Sequence, residues 1–166
     1  VASPDTECMH LNNGQVNAQL VEPLRRAGEI FCRLRASVNG GGAWRIRAAD
    51  TSRTLRNQLS TWFSNGCNTN PNCTATCSPF APGYTPPPGV TQEEAAQHLG
   101  DPMQCPHTSG VAVDLFCDGT PGQSASRAHV HPYVPCQLLL ERAMLEAGFC
   151  RLRQESWHFE LNAIRK

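Results

Sequence analysis

Apolar residues between positions 18 and 36 recur every three or four places. Leu20, Leu24, Ala27, Phe31 and Leu34 form one stripe, while Arg25, Arg26, Arg33 and Arg35 decorate the remainder. That spacing predicts an amphipathic helix with one face in a core. Asn39-Gly40-Gly41-Gly42 ends it in a flexible turn, and residues 44–48 follow as a short strand. A second helix is expected over about 54–63, with Leu55, Leu59 and Trp62 or Phe63 facing inward. Thr91-Gln92-Glu93-Glu94 has the form of a capping box, which predicts a short helix to about Leu99. Residues 111–116 read as a strand. A third long helix opens near Pro135, a residue suited to a first helical position, and runs through Leu139, Leu140, Ala143, Met144 and Ala147 to a Gly148 cap. Residues 149–152 and 157–161 are two final strands. There are no internal repeats. The inventory is α+β, with a small antiparallel sheet carrying the later motifs and helices flanking it.

Residues 65–89 break the periodicity. Cys67, Cys73 and Cys77, several Asn and Thr, and Pro79, Pro82, Pro86, Pro87 and Pro88 leave no periodic element. The stretch is either a linker or a disulfide-pinned excursion. The later motifs draw on both sides of it, so one domain over 1–166 with a Cys/Pro-rich insert at about 65–89 is expected. A chain of 166 residues suits that reading.

Charge and cysteine content narrow the setting. Lysine plus arginine and aspartate plus glutamate number 14 each, so the chain has no global attraction to nucleic acid or an anionic membrane. No apolar run approaches the roughly 18 residues of a membrane span. Val1-Ala2-Ser3-Pro4-Asp5 lacks the basic end and apolar middle of a signal peptide, so the expectation is a chain that never had one or has been processed. Nine cysteines point to disulfides rather than a structural zinc cluster, since no C-x-x-C pair is present. A secreted or periplasmic monomer, stapled by disulfides, is therefore expected. The odd count leaves at least one thiol unpaired within the chain or joined to another molecule, and connectivity stays open.

The chemistry lies in two places. In His107-Thr-Ser-Gly110-Val-Ala112-Val-Asp114, strand alternation puts Val111, Val113 and Leu115 on one face and Ala112 and Asp114 on the other. An aspartate within an apolar strand is costly unless paired or bound to a cation. His107, just before the strand, offers a second ligand. In Glu155-Ser156-Trp157-His158-Phe159-Glu160, His158 and Glu160 share a face. Glu155 reaches that face only if the chain bends near Ser156. Two histidines and one carboxylate with an open fourth position is the usual composition of a catalytic zinc site. Each residue taken alone also reads as an ordinary hydrogen-bonded or solvated side chain. The set as a whole does not.

His107 to Asp114 resembles the H-x-x-G-x-A-x-D core of the zinc D-alanyl-D-alanine carboxypeptidase family. That family includes the vancomycin-resistance D,D-peptidases and several phage lysins, and it shares its fold with lysostaphin-type enzymes and the hedgehog domain. Glu155-Ser156-Trp157-His158 resembles its E-x-W-H signature. The resemblance implies His107, Asp114 and His158 as ligands of one Zn(2+) per chain, with Glu155 as general base. Upstream, Arg53 and Gln58 match the spacing of the family's arginine motif, which implies that Arg53 binds a substrate carboxylate or carbonyl. Arg53, Gln58, Cys105 and Trp157 are the implied substrate-binding positions. Cys105 stands where the family has a serine that helps hold substrate, and Thr51-Ser52 replace its Gly-Tyr.

The implied activity is hydrolysis of a peptide bond in peptidoglycan stem peptides, with D-alanyl-D-alanine carboxypeptidase first. The alternatives are an L-alanyl-D-glutamate endopeptidase and a non-catalytic zinc-binding interaction module. His129 and His131 form an H-x-H pair, read here as loop histidines. His10 and His98 carry no signal beyond polarity.

Overall fold

The computed structural model describes residues 1–12, 14–70, 72–119 and 134–162. The chain forms two compact units, residues 1–52 with 110–166, and residues 53–109.

The first unit holds the sheet. Its strands are β1 (Met9–His10), β2 (Arg45–Asp50), β3 (Ala112–Asp118), β4 (Phe149–Leu152) and β5 (Glu155–Leu161), in the order β1-β2-β3-β5-β4. The expected antiparallel sheet holds from β2 to β4. β1 departs from it, pairing parallel with β2 through Met9 opposite Ile46. Two residues are too few to show a period, which is why β1 was not legible in the sequence. β3 is the central strand, and every residue from Ala112 to Cys117 is buried.

A 3-10 turn over Ala18–Leu20 leads into α1 (Val21–Arg35), and Asn17 caps that turn by accepting from the Gln19 N–H at 3.0 Å. α5 (Pro135–Glu146) packs against α1 and against β3 and β4. Leu24, Ala27 and Phe31 of α1 meet Leu140, Ala143 and Met144 of α5. Ile46, Val113, Leu115, Phe149 and Phe159 of the sheet complete this core. Side chains of this size contribute about 1.5–3 kcal/mol each when fully buried. Cys8–Cys32 ties the β1 segment to α1, and Cys117–Cys136 ties β3 to the start of α5. Cys150, on β4, is the cysteine outside the four disulfides.

The second unit carries α2 (Leu55–Ser64), α3 (Gln92–Ala95) and α4 (Pro106–Ser109). Thr54 caps α2 by accepting from the Asn57 N–H at 3.1 Å. Thr91 does the same for α3 through Glu94 N–H, also at 3.1 Å. A complete capping box falls instead on Asp101 and Gln104. Its small core joins Leu59, Trp62, Phe80, Val90 and Ala95. Disulfides Cys67–Cys73 and Cys77–Cys105 pin the irregular stretch. No helix among the described residues is long and apolar enough to cross a membrane.

Candidate metal centre

Pairing of β3 with β5 sets Asp114 directly opposite His158. Side chains at such positions stand on one face with their Cβ atoms about 4.5–5.5 Å apart. Here the pairing brings Asp114 Oδ1 to 3.1 Å from His158 Nδ1. Asp114 is 1% exposed and His158 6%. Below them on β3, Ala112 is small and buried, as the alternation of the sequence requires.

The other ring nitrogen has its own carboxylate. His158 Nε2 lies 2.7 Å from Glu160 Oε1. That contact fixes the orientation of the imidazole and turns Nδ1 toward Asp114. A carboxylate behind a metal-binding histidine also makes the ring a better donor. The sequence placed Glu160 on the face of His158 without assigning it this role.

Burial alone would depress the pKa of His158. Hydrogen bonds from the ring to Asp114 and Glu160, and the negative charge of both, outweigh it and raise the pKa to about 9. Each ring nitrogen thus faces a carboxylate, and a cation bound by the ring would take the place of a proton.

Glu155 satisfies the demand placed on it by the sequence. β4 and β5 pair regularly from Phe149 opposite Leu161 to Arg151 opposite Phe159, then the register slips and Leu152 faces Glu155. Ser156, Trp157 and His158 bulge between those two pairs. A bulge of this kind bends the strand and re-aims side chains. Glu155 Oε2 thereby lies 3.7 Å from His158 Nδ1, on the side of the ring that faces Asp114.

Gln137 of α5 stabilises the bend and was not visible in the sequence. Paired residues of β3 and β5 end at Asp114 and His158. Beyond that point the buried Gln137 side chain accepts from Cys117 N–H at 2.9 Å. It donates to Leu115 O at 3.3 Å and to Ser156 O at 3.2 Å. One amide thus serves groups of β3 and β5 where the pairing of these two strands has ended. A helical glutamine beside Cys136 carries no pattern that announces this use.

His107 lies half-buried in α4, and its carbonyl accepts from Arg53 N–H at 2.9 Å. His107, Asp114 and His158 each offer one ligand atom, and these atoms lie within 4.8 Å of one another. The donor set of two imidazoles and one carboxylate fits zinc with one position left for water or substrate.

The other sequence candidates take distinct places. The Arg53 guanidinium donates to Gln58 Oε1 at 2.9 Å, and Gln58 donates in turn to Thr76 Oγ1 at 2.9 Å and Cys77 O at 2.7 Å. Gln58 is 2% exposed and acts on Arg53 and the insert. Cys105 is 1% exposed and bonded to Cys77, so its sulfur anchors the chain just ahead of His107. Trp157 is half-buried within the bulge. His129 and His131 lie outside the described residues.

No family model matches the chain, and no curated protein matches it. Solved structures similar to the chain include two of vancomycin-resistance enzymes. One is the vancomycin resistance D,D-pentapeptidase VanY from a VanB-type resistance cassette, in complex with Zn(II). It is 18% identical, with 96% of this chain and 82% of that chain covered and a TM-score of 0.49. The other is VanYB in complex with D-alanine-D-alanine, also 18% identical, with 96% and 81% covered and a TM-score of 0.49. The fold and the chemistry of this chain rest on its own residues.

Proposed function

We propose that the chain is a secreted zinc peptidase that removes the terminal D-alanine from peptidoglycan stem peptides, working as one domain. The observation that carries this reading is the bulge in β5, which turns the Glu155 carboxylate to the Nδ1 side of His158. A structural or vestigial metal site has no need of a carboxylate held at that position.

His107, Asp114 and His158 would hold the metal, and Glu160 lies against Nε2 of His158. Zinc bound there would supply Lewis acidity at the scissile carbonyl and lower the pKa of water toward about 7. Glu155 takes the proton from the attacking water and passes it to the leaving amine. Arg53, its guanidinium steadied by Gln58, binds the free carboxylate of the substrate, a task for which the planar fork is suited. Four disulfides favour an oxidising compartment such as the periplasm or the cell exterior.

Purified muropeptides ending in D-alanyl-D-alanine test the reading. Release of free D-alanine, stopped by a chelator and restored by zinc, is expected. Shortened stems without free D-alanine would replace it with the endopeptidase. Zinc binding without cleavage of either bond would leave only the interaction module.

A further inference from the structure

The second unit contains a cavity that the metal chemistry does not use. It measures about 310 Å³ and lies entirely within residues 62–88. That size is at the lower end for small-molecule sites and admits one ring-sized group.

Three aromatic residues line one part of it. Trp62 and Phe80 meet edge-to-face with centroids 4.9 Å apart, and Phe80 meets Tyr84 at 5.4 Å. Tyr84 is backed by His98, stacked at 4.0 Å and 6°. The rings therefore hold one another in place before any ligand arrives. Cys67 and Cys73 both border the cavity, and their disulfide closes that side of the wall.

The remaining lining is uncharged and mixes polar side chains with Pro86 and Pro88. Asn68, Asn70, Ser78 and Thr85 contribute amides and hydroxyls, and among the described residues no Asp, Glu, Lys, Arg or His borders the cavity. Asn70 Oδ1 already accepts from Asn72 N–H at 3.1 Å. The half-buried Asn68 side chain and the exposed Thr85 hydroxyl have no such bond among the described residues. An unused amide beside a fixed aromatic wall matches a ligand with both hydroxyls and an apolar face.

We propose that this cavity binds one ring of a neutral saccharide. The absence of charged side chains disfavours a phosphate, carboxylate or ammonium ligand, which a cavity without counter-charges desolvates at a loss. The amides and hydroxyls among the lining side chains distinguish the cavity from an apolar slot for a proline-rich peptide. A sugar ring stacks its C–H side on the face of an aromatic ring and offers hydroxyls to Asn68 and Thr85. Pre-organisation by ring contacts and a disulfide lowers the ordering cost of binding. The site is independent of the metal-centre reading, because no metal ligand borders it.

The test is titration of the full, disulfide-intact, isotope-labelled chain with three neutral oligosaccharides, N-acetylglucosamine trimer, cellotriose and maltotriose. A proline-rich peptide serves as the rival ligand. Backbone NMR shifts confined to residues 62–88 by at least one saccharide are expected. Asn68→Ala and Thr85→Val should each weaken that binding by about tenfold, since each removes one hydrogen bond to the ligand. Zinc content and peptide hydrolysis should stay at wild-type values in both variants. The proposal is overturned if no saccharide shifts these residues, if only the peptide does, or if both variants bind as the wild type does. A chain that binds sugar but lacks zinc or hydrolysis would sink the peptidase reading and leave this one standing.

Discussion

In the sheet unit, Asp114 and His158 face each other because two strands pair. Around Trp62 of α2, most of the neighbouring side chains come from the irregular stretch that follows that helix. The first arrangement draws on long-range packing. β3 is buried along most of its length, and the core below it joins α1, α5 and four strands. The second draws on covalent ties and local contacts, with two disulfides across 67–105 and a five-residue aromatic and imidazole chain from Phe63 to His98. The contrast shows two ways to hold functional groups still. A sheet supplies alternation and register, so a bulge within it can re-aim one residue such as Glu155. A loop-rich segment has no register and depends on cross-links to reduce its unfolded freedom.

The sharpest way to separate the two is to remove Cys77–Cys105 by a double alanine substitution. The bridge spans 28 residues, for which chain entropy predicts a loss of about 3.5 kcal/mol. Hydrogen exchange should accelerate across residues 53–109, while the β3 and β5 amides keep their protection. Equal acceleration in both regions would show that the sheet depends on the bridge as well.

Gln137→Ala probes the other device. It leaves Cys117 N–H, Leu115 O and Ser156 O without the amide that serves them. A loss of about 1–3 kcal/mol in denaturant unfolding is expected, with hydrolysis falling more than zinc affinity, because Glu155 is re-aimed while Asp114 and His158 stay paired. Affinity falling as far as hydrolysis would place the bulge under other control.

The smallest effect concerns pH. In chelated protein His158 has its pKa raised from 6.5 to about 9. A raised histidine contributes stability that is complete below pH 6.5 and is lost as pH climbs through 9. Thermal unfolding of the chelated wild type should therefore shift down between those values, and the shift should vanish in His158→Ala. A chelated wild type with a flat profile would contradict the carboxylate contacts on both ring nitrogens.

Much of this was legible in the sequence. Strand alternation placed Asp114 beside Ala112 and opposite the Val113 and Leu115 face, and the structure has that arrangement. The helical stripes of α1 and α5 face the core as their spacing required. The bend at Ser156 was stated as a condition, and the slipped register meets it. What stayed hidden depends on tertiary partners. β1 is too short for a period, and Gln137 matters only because the β3–β5 pairing ends beside it. Glu160 became a partner of Nε2 only once the His158 ring had an orientation. Gln58 and Cys105 carried a family expectation of substrate contact, yet local burial commits both side chains to holding Arg53, the insert and the His107 segment.

The central claim is that Glu155 acts as a base beside a metal held by His107, Asp114 and His158. Glu155→Gln tests it most directly, because the amide keeps the size of the side chain and removes its basicity. Elemental analysis should find about one zinc per chain in both proteins, with D-alanine release from the stem peptide lowered about 100- to 10,000-fold in the variant. Wild-type turnover in Glu155→Gln, or no zinc in the carefully prepared wild type, would contradict the account.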